Sequence, residues 1–230
     1  MEAQNNSQRA ALIVSLNKIA ARQLTRPQAE QFDNFIANAM HFYPDADYLA
    51  RPAEEIFWNL WGLRRFSGEP ISMTAAESRA RVRVFNPEPE LDGWSSAHTT
   101  IYINQRDMPF LVDSLRIVLN RRGLNIFTLQ SNPVWVLRNA AGAIERIYTD
   151  FVEGAEREAL IAVEVDLHVE AELADLRREL LDVLDDVEVV VDEFDPMRRR
   201  SKYASHKASQ IKPTLNKLRI KCKSQAHLSS

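Results

Sequence analysis

A single cysteine, Cys222, in 230 residues excludes an intramolecular disulfide framework and any zinc site built on thiolates. Glycine is scarce too, with six in the chain, so no loop is rich enough in it for backbone N–H groups to cradle a phosphate. The patterns G-x-G-x-x-G, G-x-S-x-G and H-E-x-x-H and the P-loop are all missing. The histidines (His41, His98, His168, His206 and His227) are scattered, and no metal-ligand spacing results. The expectation is a chain with no catalytic residues, no metal and no cofactor of its own. No apolar run approaches the roughly 18 residues a membrane span needs; Ala159 to Val163 stops at Glu164. The opening MEAQNNSQ has no basic segment leading into an apolar one. A cytoplasmic location with no membrane partner is expected.

What is present is core-forming material: 45% of residues are hydrophobic and 27% charged. That composition excludes wholesale disorder, and the length suits one large or two small domains. The net charge of −3 hides an asymmetry. Ten of the 29 Lys and Arg lie from Arg198 onward with none of the 32 Asp and Glu, so the preceding body holds 19 basic against 32 acidic residues. A basic tail suits nucleic acid or an anionic membrane. This one has few apolar residues to anchor it and is expected to be disordered. The acidic body argues against a nucleic-acid-binding face, so nucleic acid is not an expected partner.

Residues 8–66 have helical periodicity. Leu12, Leu16, Ile19 and Ala20 recur at helical spacing, as do Phe32, Phe35, Ile36, Ala39 and Met40. Thr25 and Gln28 form a capping-box pattern at the start of the second helix, with Pro27 in its first turn. A third helix runs from Pro52 through Ile56, Phe57, Leu60 and Trp61 and stops at Gly68; that spacing puts its rings on one core-facing stripe. Residues 67–97 form a connecting segment punctuated by Pro87, Pro89 and Gly93-Trp94, with a strand at Arg81–Phe85.

From Thr99 the pattern alternates. Thr99–Asn104 predicts a half-buried strand, and Asp107 is placed to cap the next helix with Pro109 in its first turn. Leu111, Leu115, Val118 and Leu119 make its buried stripe, and Gly123 ends it. Strand pieces follow at Leu124–Leu129 and Val134–Leu137, with Pro133 between them marking an edge or a bulge. Asn139–Gly142 turns into a hairpin partner at Ile144–Asp150. Ile161–Val169 alternates most regularly, with Glu164, Asp166 and His168 on a solvated side. A helix with Leu173, Leu176, Leu180, Val183 and Leu184 inward leads to a last strand at Val187–Phe194, while Asp182, Asp185 and Asp186 make a solvated helix end. Leaving the hairpin aside, the order is β-α-β-β-α-β. The fold class is α+β: an N-terminal helical segment, then a ferredoxin-like plait with two helices on one face of an antiparallel sheet. The expected boundaries are 1–66 (helical), 67–97 (connection), 98–197 (plait) and 198–230 (tail). Topology alone assigns no function.

The stretch Asp107-Met108-Pro109-Phe110-Leu111, followed by a helix and Gly123-Leu124-Asn125-Ile126, resembles the opening of ACT regulatory domains, Asp-x-Pro-Gly-Leu-Leu, helix, Gly-x-Asn-Ile. The octet from Asp107 to Ser114 looks like the N-terminal region of the large bacterial NAD-specific glutamate dehydrogenases. Val84-Phe85-Asn86-Pro87, Gly93-Trp94-Ser95-Ser96, His98-Thr99-Thr100 and Asp47-Tyr48-Leu49 agree with it. The resemblance covers roughly residues 10–197.

It implies an ACT-like domain serving regulation or subunit assembly, with self-association or the remainder of the dehydrogenase as partner and an amino acid as possible effector. The ligand-loop candidates are Asp107, Met108, Pro109 and Phe110. In amino-acid-binding relatives a glycine stands where this chain has Phe110, whose ring is expected to block or plug the site. Those dehydrogenases bind NAD in a domain far downstream, so this chain alone is expected to be inactive. A free-standing amino-acid sensor and nucleic-acid binding through the tail are the alternative functions. The family continues past Met197 with mixed-charge helical sequence, from which the basic stretch departs, as a truncation or shifted reading frame would produce.

Overall fold

The computed structural model describes residues 2–39, 51–69 and 80–192. The chain forms two compact units, Met1–Val187 and Glu188–Ser230; of the second, the described residues 188–192 are helical. Met40, Asp47-Tyr48-Leu49 and the basic tail lie outside the described residues.

Three helices come first: α1 (Glu2–Gln23), α2 (Arg26–Ala39) and α3 (Ala53–Gly68). Of the capping pattern at Thr25, the return half forms, with the Thr25 N–H donating to Gln28 Oε1 at 3.0 Å. The sheet strands are β1 (Arg81–Phe85), β2 (Thr99–Arg106), β3 (Ile126–Arg138), β4 (Ile144–Tyr148) and β5 (Glu156–Val165). A one-turn helix α4 (Pro89–Asp92) lies between β1 and β2, and α5 (Leu111–Arg121) joins β2 to β3. Residues 170–192 are helical and are labelled α6. The five strands pair antiparallel in the order β1-β2-β5-β3-β4. The α+β class is therefore present, with β5 between β2 and β3 as a split β-α-β unit requires.

Four expectations are corrected. Residues 187–192 continue α6 rather than forming a last strand. The slot beside β2 is filled instead by β1, from the connecting segment, paired Arg81 to Asn104 through Phe85 to Thr100. Asp182, Asp185 and Asp186 are thus mid-helix and exposed, not at a helix end. The two strand pieces around Pro133 are one strand. Pro133 pairs with Ala159 of β5 while β4 reaches only Trp135, so on its other side β3 is an edge there and tolerates the missing donor. Finally, the strand expected over Ile161–Val169 runs from Glu156 to Val165 and is buried on both sides.

That double burial arises because helices cover both sheet faces, not one. Even-numbered residues of β2 and β5 meet the N-terminal helices: the Tyr102 hydroxyl donates to the Asn59 carbonyl of α3 at 2.9 Å. Gly62 leaves room for that ring, since a Cβ there would lie 2.8 Å from the Tyr102 hydroxyl. Behind it Phe32 and Phe57 meet edge to face at 4.9 Å. Odd-numbered residues Ile101, Ile103, Ile161, Val163 and Val165 are buried, as are Leu115, Leu119, Leu176, Leu180 and Leu184 of α5 and α6. On this face the Gln105 amide reaches the Leu184 carbonyl. The outer edge of β4 is closed by α2, where the Asn34 side chain donates to the Ile147 carbonyl and accepts from its N–H, both at 3.2 Å. At β1 the Val82 carbonyl accepts from Arg177 Nε at 2.8 Å.

Candidate functional site

The candidate loop, Asp107 to Phe110, lies between the end of β2 and the start of α5. Asp107 is tied sideways to β5: its N–H donates to the Arg157 carbonyl at 2.9 Å, and Arg157 Nε meets its carboxylate at 2.8 Å. It therefore does not cap α5, and Pro109 stands before the helix rather than in its first turn. The N-cap is Phe110, with no side-chain cap bond. Met108 is buried and helps pin the loop to the body.

Phe110 has φ 71°, the one non-glycine residue with positive φ among the described residues. The bend explains why the ACT pattern has glycine here: the chain must turn through left-handed space, where a Cβ crowds the following carbonyl. Phe110 is 58% exposed, so of the two roles expected of its ring, blocking the loop or plugging a cavity, the second is corrected. The Ser114 N–H bonds back to the Phe110 carbonyl at 2.9 Å and starts the helix. Asp113 supplies negative charge in the first turn, where the helix dipole favours it. The loop brings Asp107 through Phe110 together as a continuous turn, with Asp107 neutralised by Arg157 and the ring outward.

The acidic residues of the β5 region do not assemble into one site. Glu164, expected on a solvated side, has a side chain only 3% exposed, because α3 covers it. It accepts from Arg51 and from Asn59, both at 3.0 Å. Burial opposes the charge on Arg51, but Glu164 and Glu55 outweigh it and hold its pKa above the usual arginine value. Asp166 accepts from the Asn125 backbone and side chain, and His168 Nδ1 pairs with Glu172 at 2.8 Å. No metal-binding group of three or more His, Cys, Asp or Glu is present among the described residues.

At the other end of the same strand face, Glu158 is gripped by Arg138 through two bonds of 2.7 Å, and Asn104 Nδ2 donates to it at 2.7 Å. Arg138 also reaches the carbonyls of Gly142 and Ser67, tying the β3–β4 turn to the end of α3. Beside it Arg64 is buried, and burial first, then the Arg138 charge, lowers its pKa. Reading from sequence missed these pairings because each charge looked like half of a solvated surface. The usable signal was Glu158 and Glu164 sharing the period-2 face of β5 with Leu160 and Ala162.

The family model for the glutamate dehydrogenase ACT1 domain matches residues 35–180. An NAD-specific glutamate dehydrogenase of Halomonas elongata is 34% identical over 210 residues, covering 89% of this chain and 13% of that protein. One from Pseudomonas aeruginosa is 42% identical over 124 residues, covering 53% of this chain and 8% of that protein. The chain thus spans no more than 13% of the length of these curated relatives. No solved structure matches it.

Proposed function

The chain belongs to the glutamate dehydrogenase ACT1-domain family, and from that premise we propose that it is a non-catalytic assembly module of an NAD-specific glutamate dehydrogenase, joining a second copy through the start of α5. The oxidation of glutamate to 2-oxoglutarate and the binding of NAD then take place outside this chain. The residues support that division. The β2–α5 turn has no glycine, and every strand pairs antiparallel. A dinucleotide crevice of the parallel-sheet kind thus has no counterpart among the described residues. No helix among them is long and apolar enough to cross a membrane, and a cytoplasmic location goes with this reading.

Phe110 carries the proposal. A non-glycine residue at φ 71° costs about 1–2 kcal/mol, and an exposed ring returns little of that within the chain. Ile117, 64% exposed, lies two turns along the same helical face. Pairing through the two outer strands is disfavoured, since Arg177 takes the Val82 carbonyl of β1 and the Asn34 side chain occupies the backbone of β4. An outward apolar knob beside a helix end is suited to helix-mediated pairing about a two-fold axis.

Sedimentation velocity on the full chain at high micromolar concentration tests this. A dimer that Phe110→Gly shifts toward monomer is expected; a wild-type monomer contradicts it. Calorimetry with a panel of amino acids addresses the alternative role as a sensor. Heat from one of them, lost in Asp107→Asn, would favour sensing over assembly.

A further inference from the structure

We propose that the cleft between α3 and β1 binds a small polyanion carrying phosphate or carboxylate groups. The cleft holds about 540 Å³, within the range of small-molecule sites. Four guanidinium groups line it, from Arg65, Arg81, Arg83 and Arg177, against two carboxylates, Glu69 and Asp92. In a body with 19 basic and 32 acidic residues before Arg198, this concentration of positive charge runs against the average.

The arginines come from three elements that the fold brings together. Arg81 and Arg83 alternate along β1 and so share one face of the strand. Their guanidiniums lie 4.6 Å from the Phe66 ring centroid and 3.8 Å from that of Phe85. These buried rings support the arginines rather than offering themselves to a ligand. Arg81 pairs with Glu69, and Arg83 pairs with Asp92 at 2.8 Å. Asp92 is shared further, since it accepts the Glu88 N–H at 3.1 Å.

Arg65 and Arg177 have no carboxylate partner among the described residues. Arg65 is exposed in the last turn of α3. Arg177 donates only its Nε, to the Val82 carbonyl, which orients the group and leaves its terminal nitrogens open. Burial, with a smaller push from the Arg138 charge, lowers the pKa of Arg81 against the opposing pull of Glu69 and Glu158. An anion with two or more charged oxygens would pair Arg65 and Arg177 at once, with the fork geometry that guanidinium presents to phosphate or carboxylate.

The test is calorimetry on the full chain at fixed ionic strength, with inorganic pyrophosphate and citrate as separate probes. Saturable one-to-one binding of either supports the proposal, and the preferred probe tells a phosphate-bearing ligand from a carboxylate one. Arg65→Gln and Arg177→Gln should each weaken binding about tenfold, as expected for one charge-assisted bond. Arg178→Gln is the control, since that neighbour pairs with Asp175 at 2.9 Å and does not line the cleft; it should leave binding unchanged. No saturable heat with either probe, or equal loss in all three variants, overturns the proposal.

Discussion

The two faces of the sheet are built from alternate residues of the same strands, yet they differ in chemistry. Toward α5 and α6 the central strands present Ile101, Ile103, Ile161, Val163 and Val165, an aliphatic layer. Toward α1–α3 they present Asn104, Tyr102, Glu158 and Glu164, each engaged in a specific bond. The aliphatic side supplies hydrophobic driving force without fixing one helix position. The polar side adds less net energy but accepts one placement of α3, in which Arg51 and Asn59 meet Glu164 while the Ser67 carbonyl meets Arg138. The pairing of charge with position implies that the N-terminal helices are docked by register as well as by grease.

The sharpest way to break that contrast is Glu158→Gln. It leaves the part-buried Arg138 without its counter-charge and should cost about 3–5 kcal/mol in urea unfolding. Replacing the pair together, with Arg138→Met and Glu158→Leu, should cost far less than either change alone, because desolvation is removed along with attraction. On the aliphatic face Leu180→Ala should cost about 2–5 kcal/mol by cavity formation, with no such rescue by a partner. Gly62→Ala pushes a methyl against the Tyr102 hydroxyl and should cost about 1–3 kcal/mol.

The smallest effect belongs to Glu179, which reaches from α6 to Arg121 at the end of α5 and to Arg122 just after it. Hydrogen bonds from Arg121, then Arg122, hold its pKa below the ordinary glutamate value. A depressed carboxylate stabilises the fold above its unfolded pKa, and that contribution disappears as pH falls through the folded value. Glu179→Gln should therefore lower stability by about 0.2–1 kcal/mol at neutral pH. The variant and wild type should converge in acid, which urea midpoints across a pH series would record.

Much of this architecture was legible in residue patterns. The helices at Leu12–Ala20, Phe32–Ala39 and Ile56–Trp61 stand where their periodicity put them, and β1 and the Asn139–Gly142 turn were visible as well. Sequence failed where tertiary context decides. Val187–Val191 has the β-branched composition of a strand, but the helix in progress continues through it while β1 takes the vacant edge. Glu164 looked solvated because alternation cannot tell water from a second layer of helices. At the candidate loop the motif located Asp107 to Phe110, but not the direction of the ring, which depends on the positive φ that the motif's usual glycine conceals.

Phe110→Gly, followed on one sample by urea unfolding and sedimentation velocity, tests the account most directly. With the strain removed and the ring gone, the monomer should gain stability, by up to about 1 kcal/mol after the added freedom of the unfolded chain is set against it, while the dimer dissociates. A variant that unfolds earlier than wild type and associates as before would mean that the ring serves the fold and not a partner.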